Sequence, residues 1–156
     1  MMIRKFHDED IQPVIDLFYD TVHTINSRDY SYEQIAAWAN PHEREQRKIE
    51  WLKSLRDHDT YVAVEDGIII GFSDLTGEGV LDLLYVHKDY QRQGVATALV
   101  NKLLTKAKQL GLQQMTTEAS ITAKPFFERQ GFQEVKKQQV KKNGVTMVNY
   151  KMVLQV

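Results

Sequence analysis

The sequence predicts an α+β domain, with helices packed on a mixed, mostly antiparallel central sheet of about six to seven strands. Three observations carry this reading. Helical periodicity fills much of residues 8–55, β-branched runs dominate from residue 60 onward, and one helix-length segment, residues 94–110, lies between two strands as in a βαβ passage. At 156 residues the chain has the size of one domain with a real core, and residues 1–156 are read as a single unit.

Ile3 to Phe6 alternates weakly and reads as a first strand. Asp8 or Asp10 then caps a helix whose apolar positions Ile11, Val14, Ile15, Phe18, Val22 and Ile25 follow the 3.6 period. Pro13 falls in its first turn, where proline is tolerated. Ser31-Tyr-Glu-Gln34 has the form of a capping box and predicts a short helix through Trp38. A third helix is expected from Glu43 to Leu55, with Ile49, Leu52 and Leu55 near one face.

Thr60 to Glu65 and Ile68 to Asp74 are strand-like runs joined by Asp66-Gly67, a strong hairpin signal. Val80 to Val86 is the next strand, and Gly94 to Leu110 a helix with Val95, Leu99, Leu103 and Ala107 in register, stopped by Gly111. Gln114 to Glu118 is a short strand, and Ala123 to Gln130 a short helix ended by Gly131. Phe132 to Val140 then pairs with Val145 to Leu154 across Asn143-Gly144.

The net charge of −1, with both signs interspersed, gives no footprint for nucleic acid. Lys136, Lys137, Lys141 and Lys142 form the one dense basic cluster and read as the solvated rim of a hairpin. The absence of cysteine excludes disulfides, thiolate metal sites and acyl-cysteine chemistry, and no metal site is expected. No stretch has the length and apolarity of a membrane span, and the first residues lack a signal-peptide run, so a cytoplasmic protein is expected.

The most informative stretch is Asp82 to Thr97, D-L-L-Y-V-H-K-D-Y-Q-R-Q-G-V-A-T: an apolar strand, a charged loop, and a small-residue turn that opens a helix. Such a turn aims unpaired N–H groups at one point at the positive end of the helix dipole, which suits a phosphate or pyrophosphate. The dinucleotide fingerprint needs three glycines where only Gly94 is present, and the P-loop Gly-Lys-Ser/Thr is absent.

The pattern that Gln91, Gly94 and Ala96 do satisfy, [QR]-x-x-G-x-[GA], is the cofactor motif of the GNAT superfamily of acyl-CoA N-acyltransferases. A second block, Ala123-Lys-Pro-Phe-Phe-Glu-Arg-Gln-Gly-Phe132, resembles the family's A-x-x-F-Y-x-x-x-G-F segment. The chain thus resembles this family well over roughly residues 60 to 154, and in overall layout before that.

The resemblance implies a GNAT-like sheet in which the strand before the phosphate turn splays from the strand after the helix, with the pantetheine arm of acetyl-CoA in the gap. By position, Tyr85 and Val86 would supply main-chain contacts to that arm. Gln91, Arg92, Gln93, Gly94, Val95, Ala96 and Thr97 would hold the pyrophosphate. Arg92 stands where the family often has Gly, Ser120 where it often has a cofactor-contacting Asn, and Phe127 where a Tyr often protonates the departing thiolate. Tyr85, Tyr19 and Tyr30 are the phenols that can take over that role.

The implied reaction is direct attack of an amine on acetyl-CoA. An alkyl ammonium of pKa about 10.4 costs roughly 4.6 kcal/mol to deprotonate at pH 7, so a base is expected. Asp82 is the first candidate, because strand alternation places it on a face with Leu84 and Val86; Glu118, on the opposite strand, is the second, and His23 the third. The acceptor side is expected from His23, Asn26, Tyr30 and Trp38, in a region dense in polar and aromatic groups. The acceptor is a small-molecule or peptide amine, with neither nucleic acid nor membrane as partner, and monomer and homodimer both remain open. The alternative reading is a non-catalytic acyl-CoA-binding or sensor domain on the same fold, suggested by Phe127.

Overall fold

The computed structural model describes residues 1–156. Strand β1 (Met2–Lys5) leads through a 3-10 turn into α1 (Ile11–Thr24), followed by α2 (Tyr32–Trp38) and α3 (Arg44–Asp57). The sheet then continues with β2 (Asp59–Glu65), β3 (Ile68–Leu75) and β4 (Val80–Val86). After these come α4 (Val95–Gln109), β5 (Gln114–Ser120), α5 (Lys124–Arg129), β6 (Gln133–Lys142) and β7 (Val145–Gln155). The seven strands lie in the order β1-β2-β3-β4-β5-β7-β6. Every pairing is antiparallel except β4 with β5, the two strands joined through α4.

The turn chemistry read from the sequence accounts for the hairpins. Asp66 and Asn143 adopt left-handed φ of 52° and 49°, as the twist-compatible tight turn requires of its first residue. The capping box also forms: Gln34 N–H donates to Ser31 Oγ (3.1 Å), and Ser31 N–H donates to Gln34 Oε1 (2.9 Å). Gln34 Nε2 donates further to Thr146 O (3.0 Å), which ties α2 to β7.

Two details differ from expectation. Asp10 does not cap α1; its carboxylate instead accepts from both Arg4 terminal nitrogens (2.8 and 2.9 Å) and from His7 N–H (2.8 Å), fixing β1 to the turn before the helix. On α3, Leu55 is buried but Ile49 is 66% exposed, because this helix meets the core mainly through its C-terminal half and its aromatic residue Trp51.

Two cores sandwich the sheet. One is built from α4, α5 and residues such as Ile70, Leu81, Leu99, Met115 and Phe127; the other from α1–α3 with Val62, Phe72 and Met147. Gly71 lets α4 lie close to β3: a Cβ there would sit 2.8 Å from Val95 Cγ1 and 3.3 Å from Tyr85 O. This packing sets the start of α4 beside the end of β4.

Candidate active site

β4 and β5 pair only at Val80 with Thr116 and Leu81 with Thr117, where Thr117 Oγ1 donates to Leu81 O (2.8 Å). Beyond that point the parallel strands part. A cavity of about 650 Å³ on the α4 side and one of about 790 Å³ on the α1–α3 side share Trp38, Asp82, Tyr85, Thr117, Glu118 and Ser120 as walls. The gap in the sheet therefore joins two chambers, with two carboxylates at their junction.

On the α4 side, Gly94 takes a left-handed φ of 83° as the residue before the helix, and no side chain caps the first turn. A Cβ on Gly94 would meet no atom within 4 Å, so the open face of the turn is the one its missing side chain would fill. Arg92 also has a left-handed φ (59°), which explains why glycine suits this position. Gln91, Arg92, Gly94, Val95, Ala96 and Thr97 line the chamber, whereas Gln93 does not. Gln91 has a structural use: its Nε2 donates to Val86 O (2.7 Å) and His87 O (3.3 Å), bracing the loop.

The strand contacts divide Tyr85 from Val86. His87 N–H donates to Ile70 O (2.8 Å) of β3, and Tyr85, two residues back and in register with Phe72, turns its main-chain groups the same way. The expectation of main-chain contacts from Tyr85 is thus corrected. Val86, between them, points its N–H and C=O into the gap, where its carbonyl accepts from Gln91 and from Thr21 Oγ1 (3.0 Å). Ser120 Oγ accepts from Ala123 N–H (3.0 Å) at the chamber edge, and Phe127 is buried against Phe126 and Phe132. Asn26 lines this chamber and not the larger one, as do Arg28 and Arg129. Neither arginine stands out in the sequence, since they lie about a hundred residues apart and only the fold brings them to one cavity.

Asp82 reaches the junction by a route that alternation does not give. The β3–β4 register shifts between Ser73 and Leu75, so β4 carries an extra residue at this point. Leu84 and Val86 pack with the α4-side core, but Leu83 and Tyr85 pack with the other. Asp82 therefore does not share a face with Leu84 and Val86. It lies against Asp74 and His58, whose polar atoms and its own are all within 4.8 Å of one another. Asp74 is fully buried; its carboxylate accepts Leu83 N–H (2.8 Å), which stabilises the bulge, and pairs with His58 Nδ1 (2.7 Å). Burial pushes the Asp74 carboxyl up to about 6, the Asp82 charge adds to the rise, and His58 and the Leu83 amide pull it down. Glu118, in register with Lys151 of β7, lines both chambers.

Three other candidates are spent on structure. His23 lines neither chamber; its Nε2 bonds Ala39 O (2.8 Å) beyond the end of α2, and its ring stacks on Tyr19. Tyr19 donates to Asn40 O (2.8 Å) and accepts from Arg47, also outside both chambers. Tyr30 borders the larger chamber, but its hydroxyl donates to Val148 O (2.7 Å) and accepts Ile121 N–H (2.8 Å), which leaves it no free proton. Tyr85 remains, a residue that lines both chambers; burial raises its phenol pKa, while Trp38 and Arg47 oppose that. Trp38 walls both chambers, and Arg47 and Lys142 line the larger one, so Lys142 is more than hairpin rim.

A family model described as an acetyltransferase (GNAT) domain matches residues 26–154. A protein of Escherichia coli strain K12 described as uncharacterized N-acetyltransferase YafP is 37% identical over 152 residues, which is 97% of this chain and 94% of that protein. Among solved structures, a GCN5-related N-acetyltransferase from Rhodopseudomonas palustris superposes with a TM-score of 0.93 at 29% identity, covering 99% of this chain and 95% of that one. An N-acetyltransferase from Thermoplasma acidophilum, solved in complex with coenzyme A, shares the fold with a TM-score of 0.76 at 19% identity, over 99% of this chain and 98% of its own.

Proposed function

From the premise that the chain belongs to the GNAT acetyltransferase family, we propose that it is an N-acetyltransferase that moves an acetyl group from acetyl-CoA directly to a primary amine. The observation that carries this is the parting of β4 from β5, which joins two chambers at Asp82 and Glu118. A donor entering from one face can there meet an acceptor from the other.

The α4-side chamber fits acetyl-CoA by its donor set. The uncapped first turn of α4, with Arg28, Arg92 and Arg129 on the same chamber, favours a pyrophosphate. The exposed edge at Val86 offers an N–H to the pantetheine arm or to the thioester oxygen, where it stabilises developing negative charge. Acetyl-CoA supplies the thioester; the remaining work falls to the protein. Asp82 takes the proton from the acceptor ammonium, with Glu118 as the second carboxylate at the junction, so that a neutral amine is presented. Phe127 has no proton to give, and Tyr85 is the phenol-bearing residue that lines both chambers. A thiol of ordinary pKa about 8.5 needs little assistance in leaving.

The testing assay follows CoA thiol release across a panel of primary amines, for wild type, Asp82→Asn and Glu118→Gln. Release with at least one amine, reduced in Asp82→Asn, is expected. Phe127 favours the second reading, a non-catalytic acyl-CoA-binding domain, and acetyl-CoA binding without thiol release from any amine would select it.

A further inference from the structure

Beside the two carboxylates of the transfer reaction, the larger chamber carries two cations that the reaction alone does not require. At the junction stand Asp82 and Glu118. Lys142 and Arg47 line the same chamber, where the Glu118 and Asp82 charges raise the Lys142 pKa and the Arg47 charge lowers it. Lys142 makes no ion pair or hydrogen bond to any carboxylate. Its ammonium sits over the Trp38 ring, 6.0 Å from the centroid, and desolvation is the main cause holding its pKa below the ordinary lysine value. Arg47 donates to Tyr19 Oη (2.5 Å) and Trp38 O (3.2 Å), and its nearest carboxylate oxygen, Glu43 Oε1, is 3.9 Å away. That same oxygen already accepts from Asn143 Nδ2 (2.8 Å).

The position of Lys142 is built rather than incidental. The next residue, Asn143, also donates to Ala37 O (2.8 Å), so the tip of the β6–β7 hairpin is latched onto α2 and the turn before α3. This latch holds the lysine over the chamber. Two cations on one chamber, Arg47 with its side chain 19% exposed and Lys142 without a hydrogen-bonded carboxylate, form an anion subsite, because a bound anion would relieve their mutual repulsion. Asp82 and Glu118 form the matching ammonium subsite.

We propose that the acceptor is a zwitterion, an amine that also bears a carboxylate, with free amino acids as the simplest class. Its carboxylate lies between Lys142 and Arg47, and its ammonium is directed at Asp82 and Glu118. The aromatic wall of Phe18, Trp38, Trp51 and Tyr85 receives the side chain. This inference rests on the proposed acceptor role of the chamber. It explains why a site that must accept an ammonium also carries two cations.

The test is calorimetric titration of the common amino acids and their decarboxylated counterparts, phenylalanine against phenethylamine among them. The protein is wild type, Lys142→Met and Lys142→Arg, each with and without saturating CoA. Wild type should bind at least one amino acid about tenfold or more tightly than its decarboxylated partner. Lys142→Met should lose that preference and Lys142→Arg retain it. Equal binding of the paired ligands across the whole set, or a preference that survives Lys142→Met, overturns the proposal. Thiol release is not needed for this readout. A protein that binds amino acids through Lys142 but transfers no acetyl group would refute the proposed function and leave the zwitterion site standing.

Discussion

Replacing Asp74 by Asn should change how stability depends on pH, by an amount that follows from its burial. Asp74 is 0% exposed, and its carboxyl is pushed from 3.8 to about 6, with desolvation the largest cause. A folded-state pKa above the unfolded one means that the folded protein holds the proton more tightly. The associated stability is fully present below the unfolded value of 3.8 and is lost as pH rises through about 6. A shift of about two units corresponds to roughly 3 kcal/mol. Urea unfolding of wild type and Asp74→Asn between about pH 4 and about pH 8 measures this, because titration of distant carboxylates cancels in the difference. The stability of wild type relative to the variant should fall by roughly 3 kcal/mol over that range and level off above about pH 7. His58→Gln should move the wild-type step to higher pH, since His58 lowers the Asp74 pKa, and Asp82→Asn should move it lower. A difference between wild type and Asp74→Asn that stays constant with pH would show that the Asp74 carboxyl is not raised by burial.

Further outcomes are expected at defined positions. Gly71→Ala places a methyl 2.8 Å from Val95 Cγ1 and 3.1 Å from Leu99 Cδ1, and urea unfolding should show a loss of about 1–3 kcal/mol. Tyr30→Phe leaves Ile121 N–H and Val148 O without their side-chain partner, and the same assay should show a loss of about 1–3 kcal/mol without abolishing acetyl-CoA binding. Asp82→Asn should lower turnover by about 100-fold or more, the usual scale for a lost general base, while calorimetric affinity for acetyl-CoA stays near that of wild type.

Most of the fold was legible because local chemistry and global topology agree. Asp66-Gly67 and Asn143-Gly144 demand left-handed turns, Ser31 and Gln34 cap each other, and Val95, Leu99 and Leu103 keep one face of α4 in the core. The turn that opens α4 was legible for the same reason: Gly94 is a local conformational requirement. What stayed hidden depends on contacts between distant residues. The bulge that turns Asp82 away from Leu84 and Val86 is stabilised by Asp74, and nothing in the V-L-D-L-L-Y-V run marks it. His23 has the chemistry of a base but spends its nitrogen on Ala39, a carbonyl that only the packing of α2 against α1 brings near. Arg28 with Arg129, and Arg47 with Lys142, converge from opposite ends of the chain, so spacing holds no trace of either pair.

The proposed function requires that the turn at Gly94 and the gap beside Val86 hold acetyl-CoA. The most direct measurement is the thermal midpoint of wild type and Gly94→Val with rising acetyl-CoA, since a ligand that binds only the folded state must raise it. A side chain at Gly94 would project into the open face of the turn, at a φ of 83° that valine resists. A concentration-dependent rise is expected for wild type and little or none for the variant. No rise for wild type at millimolar acetyl-CoA, or an equal rise for both, would contradict that requirement.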